Sequence, residues 1–100
     1  MSYLPLGDSL LALLPDAAII RCRTQDWHSA TFSGQRVSVQ LAVGGSDSES
    51  RIERFKAVLG DHEFALPGQW VADICVADQR AGVEGSAILT VEALLLGDDA

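Results

Sequence analysis

D-W-H-S-A-T-F-S-G-Q-R-V-S-V-Q-L-A-V, residues 26–43, joins a polar connection to a strongly alternating strand. Val37, Val39, Leu41 and Val43 point one way, and Arg36, Ser38, Gln40 and Ala42 point the other. That is the period of two expected of a strand with one buried face and one wet face. Ahead of it, Ser33 and Gly34 supply turn chemistry. Trp27 and Phe32 are large aromatics in a polar setting, and a loop that presents such side chains is a candidate contact surface.

Downstream, Gly44-Gly45 ends the strand and Ser46-Asp47-Ser48-Glu49 has the form of a capping box, which satisfies orphan backbone donors at a helix start. The spacing predicts a helix over residues 47–59. Ile52, Phe55, Val58 and Leu59 make its apolar stripe, Asp47 and Arg51 pair across one turn, and Gly60 stops it. Phe64 and Leu66 alternate before a Pro67-Gly68 turn. A strand over residues 69–79 places Trp70, Ala72, Ile74 and Val76 on one face and Val71, Asp73, Cys75 and Ala77 on the other. Trp70 therefore reads as a core or sheet-face residue. Residues 80–85 form a hairpin loop, and a last strand over 86–96 fills one face with Leu89, Val91, Ala93 and Leu95. Its other face, marked by Thr90 and Glu92, is wet or is an interface.

Upstream, Leu4-Pro5-Leu6 and residues 8–14 read as a short helix ended by Pro15. It is apolar nearly all round, so the domain or a neighbouring subunit has to cover it. Residues 18–24 form the first strand, with Ile20 and Cys22 facing one way, Arg21 and Arg23 the other, and Ile19 breaking the alternation. The order helix, strand, strand, helix, strand, strand predicts an α+β fold. It is an antiparallel sheet of about four strands with the helices packed on one face, as a single domain over residues 1–100.

One hundred residues with a 48% hydrophobic fraction can bury a core without metal or disulfide staples. Fourteen acids against seven bases give a net charge of -7, which lacks the basic stripe that phosphate binding requires and argues against direct, sequence-specific nucleic-acid binding. The apolar run of residues 10–14 is too short for a membrane span and has no basic residues before it, so no secretion or membrane signal is expected and the chain should stay in the cytoplasm. Cys22 and Cys75 read as two small buried hydrophobes with free thiols.

Catalytic chemistry needs convergent polar groups, and the candidates are few. His28 and His62 each lack a second ligand at useful spacing, and neither cysteine has a C-x-x-C neighbour, so no metal is expected. Asp26, His28 and Ser29 have triad residue types but lie too close on an extended chain to turn toward one another. The glycines serve element ends, and no phosphate-binding pattern occurs, so no cofactor and no enzymatic activity are expected.

The leucine-rich opening helix, D-W with its small-polar loop, G-Q-R-V-S-V-Q-L-A-V, D-H-E-F-A-L-P-G, W-V-A-D-I-C-V and the closing A-I-L-T-V-E-A-L-L-L together resemble the tail-completion, or tail-terminator, proteins of long-tailed phages and phage-like gene transfer agents. The resemblance spans residues 4–96 and rests on order and spacing. It departs from the family pattern at residues 15–19, which link helix to strand directly where relatives carry a longer segment. The resemblance implies a non-enzymatic head-tail joining protein that forms a hexameric ring. The ring would end polymerisation of the tail-tube protein and meet the head connector protein, first in the cytoplasm and then within a virion or prophage-derived particle. Carried onto this chain, Asp26, Trp27, His28, Phe32, Gln35 and Arg80 become candidate contacts with neighbouring subunits or the tail tube. The alternative is a stand-alone α+β adaptor or ligand-binding module.

Overall fold

A computed structural model describes residues 5–45, 47–64, 66 and 68–97. The element order is α1 (Pro5–Leu13), β1 (Ala17–His28), β2 (Ser33–Val43), α2 (Ser48–Leu59), β3 (Gln69–Ala81), a 3-10 turn (Val83–Gly85) and β4 (Ala87–Gly97). The expected α+β architecture is present. The four strands form one antiparallel sheet in the order β1-β2-β4-β3, so β2 and β4 are central and β1 and β3 are the edges.

The core lies on one side of this sheet. Val37, Val39, Leu41 and Val43 of β2 and Leu89, Val91, Ala93 and Leu95 of β4 are buried there with Leu6, Leu10 and Leu14 from the opening helical segment and Ile52, Phe55 and Leu59 of α2. Both helices thus cover one face, and their burial is the dominant stabilising term. Of the two covers expected for the opening helix, its own domain supplies one. Leu6, Leu10 and Leu14 are sealed, and Leu11 and Leu13 are half-buried against the same core. Leu4 lies outside the described residues.

The local expectations for α2 are met in part. Val58 is 46% exposed, so the α2 stripe is Ile52, Phe55 and Leu59, a narrower band than the spacing implied. Ser46 lies outside the described residues. Asp47 is the N-cap of α2, and its side chain forms no capping bond. It pairs with Arg51 across one turn as expected, Oδ1 to Nε at 3.2 Å. Gly60 follows α2 in the right-handed region, φ -70°, so the helix end does not draw on the left-handed freedom of glycine.

Arg51 also reaches Asp16 Oδ2 at 3.3 Å and donates through Nη2 to the Gly44 carbonyl. It ties the α1–β1 turn to the β2–α2 loop. The buried Ser48 hydroxyl donates to the Gly85 carbonyl at 3.3 Å, anchoring the start of α2 to the far hairpin.

Bulges reset the faces of both edge strands. In β1 the pairing steps from Ile19 opposite Leu41 to Arg21 opposite Gln40, leaving Ile20 as the extra residue, 53% exposed. Ile19, with Cys22, therefore packs on the core where Ile20 was expected. In β3 the register steps at Ala72 and Ala77. Val71, Ile74 and Val76 pack on the core, and Trp70 is turned to the opposite face, 44% exposed. Each bulge inserts one residue, and one residue is enough to exchange the faces of everything beyond it.

Candidate functional site

The face of the sheet away from the helices is open among the described residues, and the register arranges it in cross-strand rows. At one end Trp27, Gly34, Leu96 and Trp70 stand side by side on β1, β2, β4 and β3. Next come Gln25, Arg36, Leu94 and Asp73, then Arg23, Ser38, Glu92 and Cys75, then Arg21, Gln40, Thr90 and Asp78. The last row is Ala18, Ala42, Ile88 and Arg80. The middle of the face is a shallow concavity of about 590 Å³ whose polar walls include Arg23, Gln25, Arg36, Asp73 and Glu92.

The aromatic end is built from the hairpin between β1 and β2. That hairpin is tighter than expected. Asp26, Trp27 and His28 belong to β1, and Ser33, Gly34 and Gln35 belong to β2, so only residues 29–32 turn. Ser29 N–H donates to the Phe32 carbonyl at 2.8 Å, and Phe32 N–H donates back to Ser29 Oγ at 3.1 Å. The turn chemistry comes from Ser29 and not from Ser33-Gly34. Gly34 has a different task, because a β-carbon there would strike the Leu95 carbonyl of β4.

Phe32 leans across this end to meet Trp70 edge-to-face, ring centroids 6.1 Å apart. Leu96, between Gly34 and Trp70 in the same row, is only 8% exposed although it stands apart from the core of the helix side. A small second apolar cluster therefore caps the open face.

Of the expected contact residues, Asp26, Trp27, His28, Phe32 and Gln35 come together at this end. Trp27 is half-buried, and Asp26 and Gln35 are opposite each other on the helix side of the sheet. Arg80 does not join them. It lies on β3, outside the loop, at the other end of the sheet beside Ile88. Trp70 is the residue whose role the sequence pattern concealed, together with the charged set on β1, β3 and β4. The signal available was the polar half of each alternation, which is read correctly only when the bulges are known.

Cys22 and Cys75 are unbridged, on opposite edge strands and opposite faces. Burial pushes the Cys22 thiol above its ordinary value. Cys75 is exposed, which corrects its reading as a buried hydrophobe. Among the described residues no group of three or more His, Cys, Asp or Glu side chains is placed to hold a metal, and no helix is long and apolar enough to cross a membrane. Comparison of the chain with models of protein families, with curated proteins and with solved structures finds no match.

Proposed function

We propose that this chain is a non-enzymatic assembly subunit that closes into a ring, ends the tail tube of a phage-like particle and joins it to the head connector. The observation that carries the reading is the pair of sheet edges left free among the described residues. β1 and β3, at 12 and 13 residues, are the longest strands of the sheet, and both lie at its margins. Because every neighbouring pair is antiparallel, β1 and β3 run in opposite directions. A second copy that sets its β1 beside the first copy's β3 therefore continues the antiparallel ladder.

Long unpaired edges are a liability that proteins blunt or pair. Pairing β1 with β3 is head-to-tail, and a head-to-tail contact that closes makes a ring. Six copies are what the family resemblance implies. The hairpin end with Trp27 and Phe32 supplies an apolar surface for the tube. The acidic balance suits a joint through which DNA passes, since it repels phosphate. The protein would be made in the cytoplasm and end in the particle.

The test is tube length. The tail-tube protein from the same locus is polymerised with increasing amounts of this chain, and lengths are scored by electron microscopy. Shorter tubes are expected as the ratio rises, and lengths unaffected at equimolar chain would reject the terminator role.

A further inference from the structure

We infer that the open sheet face is a self-complementary interface for a second copy of this chain, packed face to face about a two-fold axis that runs along the strands between β2 and β4. The inference stands on the charge layout of the face and does not rest on the ring reading.

Arg21, Arg23 and Arg36 occupy the β1–β2 half, and Asp73, Asp78 and Glu92 occupy the β3–β4 half. None of the six has an ion-pair partner among the described residues, where the salt bridges are those of Arg51 and Lys56. Arg80 is the exception to the division, a cation at the far end of β3. The face thus carries four of the seven basic residues but three of the fourteen acids. It is locally +1, and the remainder of the protein carries -8 of the net -7. The net charge of the remainder opposes close approach of a second copy, and the balanced charge of this face does not.

The axis follows from the strand order. A two-fold along the strands lays β1 over the partner's β3 and β2 over the partner's β4, with each row meeting its own row. A two-fold across the strands would set arginines on arginines. In the first arrangement Arg21 faces Asp78, Gln25 faces Asp73, and Arg36 lies diagonal to Glu92. The aromatic row adds apolar area at one end, since Trp27 and Trp70 stand on the two strands that this axis lays over each other. Two sheets packed this way sit about 10 Å apart with strands within roughly 30°. Four strands of about 11 residues present about 700 Å² per copy at ordinary strand spacing and rise. That gives about 1,400 Å² in total, within the range of specific interfaces.

Sedimentation equilibrium of the wild-type chain, with Arg36→Glu and Glu92→Arg alone and mixed, tests this. Both positions are exposed and lie on the central strands, away from any edge pairing. The wild type is expected to dimerise at micromolar to submillimolar concentration, more weakly in high salt. Each reversal should raise the dissociation constant at least about tenfold. Mixing the two variants should restore affinity, because the substituted side chains then oppose each other and the native pair is retained. A wild type that is monomeric at several hundred micromolar overturns the inference. So does an assembly of any size that ignores both reversals, or a mixture with no recovery. Circular dichroism checks folding. If a reversal unfolds the chain, Arg36→Gln and Glu92→Gln replace it, and unchanged association in both would equally overturn the inference.

Discussion

Phe32 and Trp70 are 38 positions apart in the chain and meet edge-to-face, their rings 83° apart in plane and 6.1 Å between centroids. One comes from the β1–β2 turn and the other from the start of β3. The contact therefore spans the two central strands and fixes the hairpin end against the opposite edge of the sheet.

That contact should be measurable as stability. An edge-to-face pair is worth about 0.5–1.5 kcal/mol beyond its buried area. Phe32→Ala is therefore expected to lower unfolding free energy by about 1 kcal/mol or more in denaturant melts, and to weaken the near-ultraviolet dichroism of Trp70. A variant with unchanged stability and unchanged tryptophan signal would mean that the pair does not form.

Phe55 is sealed in the core, and Val58 one turn on is not. Phe55→Ala should cost about 3–5 kcal/mol through lost transfer energy and a cavity. Val58→Ala should stay within about 0.5 kcal/mol, the range of surface substitutions. Equal losses at the two positions would place the stripe on a different arc of α2.

Gly34→Ala should disrupt the β2–β4 ladder at the aromatic end, since the added carbon meets the Leu95 backbone carbonyl and no flexible side chain is there to give way. Overpacking of this kind costs about 1–3 kcal/mol. Amide exchange at Leu95 and Leu96 should speed up while the opposite end of β4 keeps its protection. An unaffected exchange pattern would contradict the close approach.

The two thiols should behave differently. In native protein a disulfide reagent is expected to label exposed Cys75 first and Cys22 slowly, and to count two thiols after denaturation without reductant. Burial raises the Cys22 pKa in the folded state. Its contribution to stability is therefore full below the thiol's unfolded pKa and is lost as pH rises through the folded value. Melts across the alkaline range should show that decline in the wild type and a shallower one in Cys22→Ala. Identical slopes would contradict the shift.

The central strands were legible from sequence because their alternation is unbroken. Val37 to Val43 and Leu89 to Leu95 fall on the core face as their pattern predicts. The edge strands were not, and the reason is local. The extra residues are Ile20, Ala72 and Ala77, with no glycine to mark a bulge, so a strict period of two runs past them into the wrong face. The pattern leaves Trp70 as a core or sheet-face residue, and the bulge at Ala72 is what puts it on the open face, opposite Ile74 and Val76. The helix ends were harder still, since Asp47 spends its carboxylate on Arg51 instead of on a cap. The candidate contact end was half visible. Trp27 and Phe32 stand out in a polar stretch, whereas their alliance with Trp70 depends on a strand order that no local pattern encodes.

The central claim is that the free β1 and β3 edges assemble this chain into a ring on a tube. Cryo-electron microscopy of tail tubes assembled with it tests this most directly. The account predicts density at one end only, with each copy's β3 continuing into the next copy's β1. Bare ends, density scattered along the tube wall, or a terminal density in which those two edges remain unpaired would contradict it.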